Sequence, residues 1–325
     1  MRTKLKLGAE NLGSTEKLST GELVVTNNEL TLTEYVGRLF RNKTRSVREL
    51  SDVEFLSLFD VPSVSDLANN GYNLRSMAAL VTHFRERVES DWLAAPAYLA
   101  DVGINTDHCS ETELLSRADQ VLNYDLEWSG VPPELSSSGE IDWQKNILEN
   151  QEWLSRLNRH GWWPLLGLAY QRTGDERYAM AFARQMSTWV AGLDYCSRNE
   201  STIWSCRQVA LRLRVSWIPA FGMFFNSPYF NTARKFEMLR AICDQARFLK
   251  QQKTNDNLVF NGGLVCAGIS FPELRESKAW RKTAIDRCWS SLRTSVRQNA
   301  DAASADYKQS CNLLAFSDRE IAAAS

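Results

Sequence analysis

Residues 173–193 read TGDERYAMAFARQMSTWVAGL, and this stretch decides the class of fold. Tyr178, Phe182, Met186, Trp189 and Leu193 recur at threes and fours, the period of one buried stripe on an α-helix. Gly174 ends the preceding segment and Asp175 is placed to cap the new one. The same spacing recurs in Trp280, Ala284, Cys288, Leu292 and Val296. Helices are expected at roughly 30–41, 46–59, 75–91, 111–123, 147–172, 175–193, 203–225, 230–252, 258–269 and 275–298. Pro228 in "NSPYF" (226–230) stops the 203–225 segment. Sustained period-two alternation is scarce, so the pattern is all-α, and short turns between long helices make neighbours antiparallel. Nine or ten amphipathic helices suit a ring of hairpins better than a four-helix bundle. Trp189, Trp217 and Trp280 are expected between the hairpins.

The chain has 325 residues, 44% of them hydrophobic, enough to bury a substantial core. A Pro/Ser/Gly loop, SGVPPELSSSGEID at 129–142, separates an acidic part from the regular helices. Residues 1–70 read as a polar extension with short helices, of which the first twenty-five are expected to lack order, and 71–325 as the helical domain. The formal net charge of -1 hides a polarity: 101–150 hold eleven acidic against two basic residues, and 231–299 hold thirteen basic against six acidic. The basic region is either a solvated helix face or a surface for an anionic polymer.

The seven cysteines form no CxxC pair and the three histidines have no zinc-like spacing, so neither a metal nor a disulfide framework is expected. Cys243, Cys266 and Cys288 read as small core residues, whereas Cys196 and Cys206 flank a polar loop and could pair in an oxidising compartment. No phosphate loop, nucleotide fingerprint or Ser-His-Asp arrangement is evident, and no cofactor is implied. The N-terminus lacks the apolar core of a signal peptide and no apolar run reaches eighteen residues, so neither ordinary export nor a membrane span is expected.

Several landmarks stand in a specific order. They are IDWQKNILENQEWLSRLNRHGWWPLLGLAYQRTGDERY (141–178), Trp189, RLRVSW (212–217), NSPYF, and FPELRESKAWRKTA (271–284). This set resembles the N-terminal helical domain of the heparinase II/III family of polysaccharide lyases, most closely its heparinase III-like branch, over about residues 110–310. The resemblance implies an incomplete α/α toroid whose groove holds an acidic polysaccharide, normally followed by a β-sandwich. Those enzymes cleave by β-elimination, which needs a base for the C5 proton of a uronate, an acid for the leaving oxygen, and a donor against the carboxylate.

On that resemblance, Asn255 in QQKTNDNLVFNGGL (251–264) matches the carboxylate donor and Tyr307 in ASADYKQS (303–310) the proton-transferring tyrosine. An ordinary tyrosine, with a pKa of about 10, donates at neutral pH and needs cationic neighbours to act as a base. Asn255 also fits the N-cap of the helix near 258, with Asn257 and Asn261 as alternatives. The sequence departs from the family where QNADAASADY (298–307) lacks the usual Gly and Glu before the tyrosine. Asp256 also stands where some relatives carry a His. The chain stops at CNLLAFSDREIAAAS, ahead of the place where the resemblance puts the β-sandwich and its catalytic His, so a truncated form is expected.

LNRHGWW (157–163) remains open between groove and core. Asn158, Arg159 and His160 could donate to carboxylates or sulfates and the indoles could stack on sugars, or the whole stretch could be interior, with Trp153 and Trp163 as core. Arg212 and Arg214, on a helix that buries Val209, Leu213 and Trp217, are the expected groove cations. The substrate-binding set is therefore Asn158, His160, Arg212 and Arg214, and the partner an acidic polysaccharide rather than a nucleic acid or a membrane. Oligomeric state and compartment are left open, although the family is commonly periplasmic or secreted. The competing readings are a non-catalytic glycan-binding protein and a helical scaffold that binds another protein.

Overall fold

The computed structural model describes residues 15–17, 23–25, 46–71, 73–88, 110–123, 141–144, 151–192, 202–252 and 258–298. The chain divides into two compact units, Met1–Ser46 and Val47–Ser325. In the first, β1 (Thr15–Lys17) and β2 (Leu23–Val25) pair antiparallel with Glu16 opposite Val24. These strands fall within the stretch expected to lack order. The expected helix at 30–41 lies outside the described residues.

The second unit is helical and begins earlier than residue 71. A 3-10 turn at Val47–Glu49 leads into α1 (Asp52–Leu56), α2 (Pro62–Asn69) and α3 (Asn73–Val88). Phe55 and Phe59 are fully buried, and Phe55 meets Phe236 edge-on at 5.9 Å. The boundary thus falls at Val47 because these phenylalanines belong to the main core. The helix expected at 46–59 is split by Ser51, whose hydroxyl and backbone form a reciprocal cap with Glu54.

Next come α4 (Glu111–Leu122), α5 (Gln151–Leu157), α6 (Trp163–Thr173) and α7 (Glu176–Gly192). Gly174 ends α6 at φ 69°, a left-handed cap that only glycine adopts without strain, and its N–H donates to the Tyr170 carbonyl at 2.7 Å. Asp175 Oδ1 accepts the Arg177 N–H at 2.9 Å, as a capping aspartate should. A two-residue connection leaves α7 no course except back along α6.

Beyond the turn Thr202–Trp204, α8 (Cys206–Leu211) runs through a π-helical stretch, Arg212–Trp217, into α9 (Ile218–Met223). The expected helix 203–225 is therefore one rod with a widened turn. Pro219 accounts for it: proline has no N–H to donate and its ring collides with the carbonyl four residues back, which the wider turn relieves. The rod is followed by α10 (Thr232–Gln251), α11 (Leu258–Ser270) and α12 (Ser277–Gln298).

Gly263 sets a close approach between two helices. A Cβ there would lie 2.5 Å from the Ala210 Cα, so α8 and α11 touch backbone to backbone. At its far end α11 meets the start of α12, where a Cβ on Gly268 would lie 2.8 Å from the Ser277 carbonyl oxygen. Phe182, Phe221, Phe224 and Phe230 join Trp163, Trp189 and Trp217 in one aromatic interior. Trp189, Trp217 and Trp280 have no exposed surface, as their spacing predicts, and Cys243, Cys266 and Cys288 are buried. Cys196, the proposed partner of Cys206, lies outside the described residues.

Candidate functional site

LNRHGWW is the break between α5 and α6, not part of one helix over 147–172. His160 takes φ 57°, a left-handed conformation uncommon outside glycine, and Pro164 starts α6 just after it. Most of the turn is interior, with Arg159 and Gly161 half-buried. Asn158 Nδ2 donates to the carbonyls of Trp143 and Leu154, both at 3.0 Å, and its Oδ1 accepts the Trp189 indole N–H at 2.8 Å. Trp162 and Trp163 both donate to Gln185 Oε1, at 2.8 and 2.9 Å.

His160 stacks on Trp163 with ring centroids 4.1 Å apart, and its Nδ1 accepts the Trp217 indole N–H at 3.1 Å. Since an indole only donates, the His160 ring proton sits on Nε2. Burial, reinforced by the Arg212 charge, holds the imidazole pKa well below its ordinary value, so the ring is neutral.

Arg212 shares this interior. Its Nη1 donates to the carbonyls of Asn158 (3.0 Å) and Ile203 (3.2 Å), its Nε donates to Gln245 Oε1 (2.8 Å), and its guanidinium lies 4.6 Å from the Trp189 ring centre. Asn158, His160 and Arg212 have no exposed surface. The expectation that they line an open groove is corrected: a side chain sealed among tryptophans cannot reach a polymer. Trp153 and Trp163 are likewise core.

Arg214, two residues on, is partly exposed, as is Leu211, and Arg207 is exposed. Of the two expected groove cations only Arg214 keeps access to solvent. Beside this face stands Arg159, with a side chain 24% exposed, hydrogen-bonded to Gln208 and paired with Glu152 at 3.3 Å. Burial lowers its pKa, Glu152 opposes that shift, and Arg207 and Arg156 add like charge. Arg207 carries no motif that sequence reading could have singled out; only its exposure beside Arg159 and Arg214 marks it.

Asn255 and Asn257 lie outside the described residues, as does Tyr307. Asn261 is described and buried within α11. Arg287 donates to the carbonyls of Leu249 (3.0 Å), Lys250 (2.8 Å) and Gln252 (2.7 Å), closing the end of α10, and Cys206 bears electrostatically on the same Arg287. Gln252 therefore lies at the end of the body where α8 begins, the end that carries Arg207 and Arg159.

Much of the basic excess of 231–299 is structural. Arg240 donates to the carbonyls of Val47 and Leu50, both at 2.8 Å, Arg247 pairs with Glu276, and Arg281 donates to the Gly268 carbonyl at 2.7 Å. Among the described residues no group of three or more His, Cys, Asp or Glu could hold a metal ion, and no helix is long and apolar enough to cross a membrane.

A ring of helical hairpins with an arginine-bearing face at one end is the architecture of an incomplete α/α toroid. A structure of heparan sulfate lyase HepC from Pedobacter heparinus superposes with TM-score 0.62 at 24% identity, covering 75% of this chain and 39% of that one. A heparinase III structure gives TM-score 0.59 at 20% identity, covering 77% of this chain and 38% of its own. Residues 55–310 match the family model described as heparinase II/III N-terminus, and the chain belongs to that polysaccharide lyase family. A heparin-sulfate lyase of Pedobacter heparinus is 33% identical over 168 residues, half of this chain and 25% of the relative. One from Bacteroides stercoris is 27% identical over 190 residues, 52% of this chain and 28% of the relative. The chain thus matches about a quarter of the length of these curated relatives.

Proposed function

We propose that this chain forms the glycan-holding helical part of a lyase that cleaves a uronic-acid-containing, heparan sulfate-like polysaccharide by β-elimination. The observation that carries the reading is the pair Arg159 and Arg207 at the end of the body that carries Gln252, three residues before Asn255 in sequence, with Arg214 partly exposed on the same helical rod. It is supported by the family match and by relatives whose names specify heparin-sulfate lyases.

In this reading the arginines engage carboxylates or sulfates through charge-assisted hydrogen bonds. Asn255 hydrogen-bonds the uronate carboxylate as the C5 proton leaves and negative charge builds there, stabilising the transition state more than the ground state. Tyr307, as the tyrosinate, takes the C5 proton and then delivers it to the glycosidic oxygen as the C4–O bond breaks, and the product is a 4,5-unsaturated uronate. No cofactor takes part in this scheme.

The test is ultraviolet absorbance of the unsaturated product from heparan sulfate, for this chain and for Asn255→Ala and Tyr307→Phe. Loss of the Asn255 donor should raise the barrier by roughly 2.7–4 kcal/mol, the scale of an oxyanion-hole donor. Equal activity in all three proteins would refute the assignment of both residues. Binding without product in any of them would favour a glycan-binding role for the chain.

A further inference from the structure

Among the described residues, several buried donors around Arg212 lack an acceptor. The Nε–H and Nη2–H of a guanidinium lie along the edge that binds a carboxylate through two parallel bonds. In this molecule that edge faces the side-chain amide of Gln245. Arg212 Nε takes the amide oxygen, and reversing the amide would set N–H against N–H, so its orientation is fixed. Arg212 Nη2 is two bonds from Nε, and Gln245 Nε2 is two bonds from Oε1. Two donors therefore flank the single bond that is made, and among the described residues neither has a hydrogen-bond partner.

Both side chains are completely buried. The nearby Asn158 and Ile203 carbonyls are already engaged by Nη1. A third buried donor, His160 Nε2–H, belongs to the same cluster and is also without a partner. An orphaned buried donor bears the full desolvation cost of its N–H, so a set of them calls for an acceptor.

Charge narrows the choice of acceptor. The Arg212 guanidinium meets amide, carbonyl and indole groups, and the charged group acting on it is Arg48, of like sign. The buried carboxylate of the region, Asp244, is engaged by the Val47 N–H at 2.7 Å and faces Arg48 at 3.7 Å. His160 is neutral and supplies no counter-charge. Burial accordingly lowers the Arg212 pKa to about 9. A water accepting from both nitrogens would have to donate two hydrogens of its own, whereas an anion accepts only and also neutralises the guanidinium.

We propose that Arg212 Nη2 and Gln245 Nε2 hold a small monovalent anion of halide size inside the tryptophan-lined interior. The site is sealed from any polymeric ligand, so it is distinct from the glycan face. It does not depend on the chain's binding a glycan.

Crystals of the whole chain grown in sodium bromide should show an anomalous peak within hydrogen-bonding distance of both nitrogens. In solution, the midpoint of thermal unfolding should rise saturably with sodium bromide, beyond the effect of sodium gluconate at equal ionic strength. Gln245→Glu places a carboxylate against the guanidinium edge and should abolish the difference between the two salts. If that variant does not fold, the bromide peak in the unaltered chain still decides. No peak at the two nitrogens, or equal responses to bromide and gluconate, overturns the proposal and leaves a water as the acceptor.

Discussion

Arg212 and Arg214 lie two residues apart on one helical rod and meet opposite surroundings. The first is sealed beneath Trp189 and Trp204, holding two backbone carbonyls and an amide; the second stays partly exposed on the face shared with Leu211 and Arg207. The difference teaches that a cation's availability is set by the helical face it occupies. In this chain the buried face makes polar groups part of the scaffold, and the outer face keeps them in reach of solvent.

The comparison breaks most visibly at Trp189. Its ring supports Arg212 and its indole N–H satisfies Asn158, so Trp189→Ala should cost about 3–5 kcal/mol from the cavity alone. Denaturant unfolding measures this, and a loss below about 1 kcal/mol would mean that the interior is less tightly knit than described.

A smaller effect sharpens the account of His160. Its folded pKa is depressed by burial, so below its ordinary 6.5 the unfolded chain binds a proton that the folded chain refuses. The stability due to neutral His160 is complete above that pH and is lost as the pH falls through and below it, at up to about 1.4 kcal/mol per unit. Between pH 8 and pH 5 the difference should reach about 2 kcal/mol. His160→Asn keeps a residue that tolerates positive φ and does not titrate, and it should flatten the profile. An unchanged slope in that variant would show that other groups produce it.

The outer face should give the smallest change in stability. Arg207→Ala with Arg214→Ala should alter unfolding free energy by no more than about 0.5 kcal/mol, as exposed substitutions do. Titration calorimetry with heparan sulfate should show weaker binding and a shallower salt dependence, since fewer exposed charges are engaged. Full affinity in the double variant would remove this face from the glycan-binding account.

The same contrast explains what the basic half of the chain does. Arg240, Arg281 and Arg287 close helix ends and turns by donating to backbone carbonyls, so a positive segment in sequence is not a positive surface in space. A count of charges records sign and position along the chain, whereas a surface potential depends on which charges are already engaged.

Periodicity alone determined the helical class, the capped turn at Gly174 and Asp175, and the burial of Trp189, Trp217 and Trp280, because a repeat of 3.6 residues fixes which side chains share a face. The order of landmarks added the family. Periodicity failed at LNRHGWW, where His160 at positive φ divides a segment whose apolar spacing is continuous, and at 212–217, where Pro219 widens the turn and shifts the faces that follow. The fates of Asn158, His160 and Arg212 were decided by tertiary structure. Their partners are Trp189, Trp217 and Gln245, which lie 31, 57 and 33 residues away along the chain. Whether a polar side chain is sealed or open depends on what packs over it, and that is a property of the assembled helices.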